Sequence, residues 1–205
     1  MNAFPRVLIV PSSPALVSEL APADQSSRQL KQAAVAQLRT LGDYPHLRLA
    51  VLGQRTDHTR TQRTGSFAAW GAPSISGLQG EYLCDLLASY LLRCAGINLS
   101  CAPVNSMDHN ADVLIVVVDG PAGLSDRAPL ALIPSAGERM QWCRSVLLGQ
   151  TSVPASEAEL QADGLIQPEI WQQLHGVTPN RPRILTESME HGVGRIVARW
   201  EGWNE

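Results

Sequence analysis

Val113–Val118 reads VLIVVV, an apolar run with no polar position inside it. A strand with one wet face alternates polar and apolar residues; an unbroken β-branched run is a strand covered on both faces. Such strands lie at the centre of largely parallel sheets with helices above and below. The run therefore predicts an α/β fold. Outward from it, Val7–Val10 (VLIV) and Leu47–Leu52 (LRLAVL) predict further central strands. Asn98–Val104 has the mixed character of a strand nearer an edge. Gly194–Trp200 (GRIVARW) alternates, which predicts a late strand with one wetter face.

Helical periodicities lie between these runs. Asp24–Leu41 spaces Leu30, Ala33, Ala34, Leu38 and Leu41 three or four apart, and Gly42 stands where a C-terminal cap is needed. Glu81–Ala95 (EYLCDLLASYLLRCA) is strongly apolar and ends before Gly96. It serves either as a buried core helix or as a homo-oligomer surface. Ser135–Leu148 predicts a helix that stops at Gly149. Ser156 with Glu159 has the spacing of a capping box, opening a short helix that ends near Gly164. Pro168 suits the first turn of another, closed by Gly176. Thr178–Pro182 reads as a loop. The strand–helix–strand order predicts a single α/β domain over residues 1–205, with a mostly parallel or mixed central sheet and helices on both faces.

The chain has 205 residues, 44% hydrophobic and 17% charged, which suits one globular domain with a buried core. A net charge of -3 gives no electrostatic basis for a nucleic-acid or anionic-membrane partner. No apolar stretch approaches the ~20 residues of a membrane helix, and the run near the N-terminus is too short for the apolar region of a signal peptide. Cys84, Cys94, Cys101 and Cys143 form no C-x-x-C pair and no zinc-module spacing. They read as reduced thiols of a cytoplasmic protein, with Cys84 and Cys143 as core residues.

In open α/β sheets, ligands bind beyond the carboxyl ends of the strands. The three ends here are Pro11-Ser12-Ser13-Pro14, the stretch after Leu52 that runs through Gln54–Arg60, and Asp119-Gly120-Pro121. If their strands are neighbours, the three converge. The ligand-binding candidates are Ser12, Ser13, Arg55, His58 and Asp119; no residue is singled out as catalytic. Each has a structural alternative. The serines can bond their own backbone in a turn, and neither lies in a G-x-S-x-G elbow. Asp119 caps a turn, or holds a metal or a substrate hydroxyl. Arg55 and the arginines up to Arg63 cradle a carboxylate or phosphate, or belong to a solvated loop. Asp57 and His58 are adjacent, and neighbouring side chains in an extended loop point apart, so they make no dyad. His46, His109 and His175 bring no second ligand at useful spacing. His191 precedes Gly192-Val193-Gly194, a tight turn into the last strand. No dinucleotide or P-loop fingerprint occurs.

Four segments, in order, carry a resemblance. Val7–Leu20 (VLIVPSSPALVSEL) resembles the opening strand and loop of class III extradiol ring-cleavage dioxygenase B-subunit-like (LigB-like) proteins. Gly65–Gly71 (GSFAAWG) resembles the G-T-F-x-x-(F/Y)-G segment of a small bacterial branch of that superfamily. Val118–Pro129 (VDGPAGLSDRAP) is similar to its A-D-G-S-x-x-x-x-x-K-A-P segment, and Glu190–Trp200 (EHGVGRIVARW) to its closing Y-G-V-G-Y-x-V-A-x-W. The resemblance implies an α/β fold and, in the working enzymes, Fe(II) held by two histidines and a carboxylate, with open positions for a catechol and oxygen. A further histidine acts as acid/base. The first iron histidine of the pattern follows the first strand; Ser12 occupies that place. The second follows the second strand; here Gly53-Gln54-Arg55 stand there, and His58 comes several residues late. Glu187, Glu190 and Glu201 fall near the expected carboxylate. A serine hydroxyl is a poor ligand for Fe(II), and losing an imidazole from a three-ligand site removes most of the affinity. The expectation is a retained fold with a degenerate site, no cofactor, and a small-molecule ligand or protein contacts at the strand ends. The alternative is a metal-dependent dioxygenase or related oxidoreductase using Fe(II) on an altered ligand set, with His58, Asp119 and a C-terminal carboxylate. A third reading is an anion-binding or hydrolytic site on Ser12, Ser13 and Arg55.

Overall fold

The computed structural model describes residues 6–41, 46–107 and 110–204. Gly42 and His109 lie outside the described residues. The strands are β1 (Arg6–Val10), β2 (Leu49–Gly53), β3 (Cys101–Val104), β4 (Val113–Val117), β5 (Thr178–Asn180), β6 (Arg183–Ser188), β7 (Arg195–Trp200) and β8 (Gly202–Asn204). The helices are α1 (Gln25–Arg39), α2 (Leu83–Ala95), α3 (Ala136–Leu147), α4 (Glu157–Ala162) and α5 (Pro168–His175). Six strands form one mixed sheet in the order β3-β2-β4-β1-β7-β6, and β5 and β8 form a separate two-stranded sheet.

The VLIVV run does what its composition demands. β4 pairs in parallel with β1 on one side and β2 on the other, and all its residues are buried. Successive side chains point to opposite faces, so each strand feeds two cores. Leu8, Val10, Val51 and Ile115 pack against Leu30 and Leu38 of α1 and Leu87 and Leu91 of α2. Val7, Ile9, Leu52 and Leu114 pack against Met140 and Leu147 of α3, Leu160 of α4, and Trp171 of α5. The apolar residues of α2 are thus engaged within the chain's own core. β3 is an edge strand, as its mixed sequence predicts, and carries Pro103 where an interior strand would lose a ladder bond.

Local signals set the helix ends. Asp24 caps α1 by accepting Ser27 N–H at 2.9 Å. α2 ends on Gly96 at φ 81°, a left-handed position that suits glycine. Ser156 and Glu159 bond reciprocally, Glu159 N–H to Ser156 Oγ at 3.3 Å and Ser156 N–H to Glu159 Oε2 at 2.8 Å. Ser156→Ala will lower stability by about 1 kcal/mol in urea unfolding; an unchanged midpoint would show that the box contributes nothing.

Two expectations are corrected. The last long strand has no wet face: five of the six residues of β7 are buried, Arg195 among them. β6 pairs antiparallel outside it, so β7 is interior, with helices on both sides. Thr178–Pro182 is not simply a loop, because Thr178–Asn180 pairs antiparallel with Gly202–Asn204. β6 itself carries only Ile184 and Leu185 as apolar signal, which suits a half-exposed edge strand.

Among the described strands, the topology places one switch point in the sheet. After β1 the chain leaves to the face of α1; after β4 it leaves to the opposite face, where α3, α4 and α5 pack. Adjacent parallel strands whose connections depart to opposite faces leave a gap at their carboxyl ends, the switch point of an open α/β sheet. The register sets Val10 and Gly53 both opposite Val117, so β1, β4 and β2 end at one level.

Candidate functional site

Ser12 and Asp119 each stand two residues beyond a strand end, on either side of that gap. Ser12 N–H donates to Asp119 Oδ1 at 3.1 Å, and Ser12 Oγ–H donates to Oδ2 at 2.7 Å. One serine thus meets both carboxylate oxygens across the switch point. Ser13 is spent locally: its Oγ accepts Ala15 N–H at 3.3 Å and caps the 3₁₀ turn Pro14–Leu16.

Asp119 is also held through its backbone. Its N–H donates to Gln167 Oε1 at 3.2 Å, and its carbonyl accepts Trp171 Nε1–H at 2.8 Å. Pro168 starts α5 beside Gln167, so the helix start places both partners. Beyond Asp119, Gly120 N–H donates to Gly194 O at 2.6 Å and Gly194 N–H to Pro121 O at 2.8 Å. A Cβ at Gly194 would lie 2.5 Å from Met140 Sδ, so this approach requires glycine. Burial pushes the Asp119 carboxyl up to about 6, against the two Ser12 hydrogen bonds and the positive charge of Arg195, which pull it down. A carboxylate in that range can accept a ligand proton or hydrogen bond near neutral pH.

A second charged group lies near enough to act on Asp119. The Arg195 guanidinium, 3% exposed, bonds Asp24 Oδ2 at 3.3 Å, Ser27 Oγ at 2.5 Å and Ser26 Oγ at 2.8 Å. Burial raises the Asp24 pKa, but hydrogen bonds from Ser27 and Ser26 and the charge of Arg195 outweigh it and hold the carboxyl well below its usual range. His191, at φ 63° in the turn before β7, brings Nε2 to 3.7 Å from Asp24 Oδ2. Asp24, Glu190 and His191 are the one group of three metal-type ligands that approach within 4.8 Å among the described residues. Asp24 already accepts bonds from Ser27 N–H, both serine hydroxyls and Arg195, and a cation there would face the guanidinium. The arrangement is that of an ion-pair network tying α1 to β7.

Among the described residues, the other predicted ones, Arg55 and His58, form no bond to Ser12 or Asp119. Arg55 bonds Asp85 at 2.6 Å and the carbonyls of Val51, Gly53 and Val104 at 3.1, 3.4 and 2.9 Å. It fastens the ends of β2 and β3. His58 is exposed in the 3₁₀ turn Asp57–Thr59 and forms no three-ligand group with Asp119. Gln54 reaches the Ile166 carbonyl at 3.4 Å. His175 Nε2 lies 3.2 Å from the Ser152 carbonyl, and its ring stacks on Trp142. Glu187 is paired with Arg144 at 2.7 Å and Glu201 with Arg181 at 3.0 Å, the latter beyond the far end of β7. The side chains at the three strand ends are therefore a hydroxyl, the Asp119 carboxylate, an amide and a guanidinium bonded to Asp85, a set without the two imidazoles of the Fe(II) pattern. Gln167 and Arg195 were not anticipated. The only sequence sign of Gln167 is its place before a helix-starting proline.

A scan against protein-family models finds no match for this chain, and a search of curated proteins finds none.

Proposed function

We propose that this chain is a LigB-like protein with a degenerate, iron-free site, and that its switch-point crevice binds a small organic molecule whose hydroxyl or N–H donors are accepted by Asp119. The observation that carries this reading is the double hydrogen bond from Ser12 to Asp119, at the place where the extradiol pattern has its first iron histidine. In place of a metal that polarises a bound diol, the crevice offers a partly desolvated carboxylate with lone pairs left for a ligand donor. The four free cysteines suit the cytoplasmic location that goes with the reading.

The test is anaerobic Fe(II) titration followed by oxygen uptake on catechol, together with catechol titration of ¹⁵N-labelled protein. The expected result is no stoichiometric iron, no oxygen uptake, and catechol-dependent shifts at the amides of Ser12 and Gly120. Asp119→Asn should weaken catechol binding about tenfold, the loss of one hydrogen bond to a charged acceptor. Stoichiometric iron with oxygen consumption overturns the reading.

A further inference from the structure

We propose that the crevice selects a neutral ligand group with an N–H donor beside a C=O acceptor, a primary carboxamide or lactam edge, read by Asp119 and Gln167 together. This deepens the binding function proposed above and rests on it.

The orientation of Gln167 is dictated by its neighbour. The Asp119 backbone N–H needs an acceptor, and Gln167 Oε1 supplies it at 3.2 Å. The amide plane is then fixed, with its NH₂ turned away from that contact. Gln167 is 6% exposed, and among the described residues no acceptor meets its NH₂. The NH₂ is not among the buried polar atoms left without a partner, so it keeps contact with solvent, and a ligand oxygen can replace the water that meets it where an apolar group cannot. Beside it, Asp119 offers only acceptors at neutral pH. Ser12 takes one lone pair from each of its oxygens and leaves others free. Gln54 Nε2–H donates at 3.4 Å to the carbonyl of Ile166, the residue before Gln167.

The crevice thus carries an outward donor and an outward acceptor side by side. A carboxamide or lactam presents the complementary pair within one planar group. A carboxylate brings a negative charge toward Asp119. An amidine satisfies Asp119 but leaves the Gln167 NH₂ facing another donor.

Benzamide, benzoate and benzamidine share a ring and differ in these atoms, so they are the probes. Each is titrated at pH 7.5 into ¹⁵N-labelled protein, following the Gln167 side-chain NH₂ and the amides of Ser12 and Gly120. Benzamide should bind about tenfold more tightly than either of the others. Gln167→Glu still accepts the Asp119 N–H but presents an acceptor outward, and should reverse the order in favour of benzamidine. Should that variant not fold, the order of the three probes on the wild-type protein decides alone. Benzoate or benzamidine binding as well as benzamide overturns the donor–acceptor assignment, while catechol-dependent shifts at Ser12 and Gly120 would leave the crevice as a binding site. No shift at those amides with any of the four compounds overturns both proposals.

Discussion

Arg195→Leu will lower the stability of the fold by about 3–5 kcal/mol, the cost of removing one partner from a buried ion pair. For a chain of this size that is a fall of about 6–20 °C in Tm. The side chain is 3% exposed, and its removal leaves Asp24 ionised without its cation while Ser26 and Ser27 lose their donor. Urea unfolding measures the loss, and pH gives it a signature. The folded-state pKa of Asp24 lies below its unfolded value, so this group stabilises the protein above the unfolded pKa and the contribution fades as pH falls toward the folded one. Part of that depression comes from Arg195. The gap between wild type and variant should therefore be widest at neutral pH and narrow below about pH 4. Arg195 also pulls the Asp119 pKa down, so the variant should raise the Asp119 pKa above its present value of about 6, measurable by NMR titration. A gap that does not change with pH would mean that Arg195 contributes packing and not charge.

These two residues show where sequence reading ends. The central strands were legible because burial on both faces writes itself as unbroken Val, Ile and Leu, and most helix ends because caps use particular residues at fixed offsets. β6 was not, since an edge strand with half-exposed faces needs only Ile184 and Leu185. β7 was misread for a related reason: Arg195 and Arg199 resemble a wet face, yet Arg195 is buried because Asp24, Ser26 and Ser27 wait for it on α1, about 170 residues earlier in the chain. Arg55 had the look of an anion cradle because its partner, Asp85, lies thirty positions away in α2. Ser12 and Asp119 were found together because strand ends identify positions without needing partners. Gln167 was not, because a glutamine before a helix is an ordinary surface residue until its amide meets the Asp119 backbone.

Asp119→Asn is expected to stabilise the protein at neutral pH while weakening its ligand binding. The folded state raises the Asp119 carboxyl from 3.8 to about 6, so the native protein binds this proton more tightly than the unfolded chain does. Such a group stabilises least when ionised: stability falls as pH rises through the interval from about 4 to about 6, then levels off. The full shift corresponds to about 3 kcal/mol; partial exposure of Asp119 and screening reduce the expected gain from the neutral isostere to about 1–2 kcal/mol at pH 7. Asparagine can accept from Ser12 N–H through its oxygen, and its NH₂ can donate to Ser12 Oγ, so the junction between β1 and β4 keeps its bonds. Below about pH 4, where Asp119 is protonated in both states, wild type and variant should unfold at the same urea concentration; the difference should open between pH 4 and 6 and stay constant above. A variant less stable than wild type at pH 7 would mean that the Ser12 bonds to the charged form outweigh its desolvation, and that Asp119 is a structural clasp. The expected result has the opposite meaning. A carboxylate that costs the fold stability at the switch point between β1 and β4 behaves as a binding group would and not as a structural clasp.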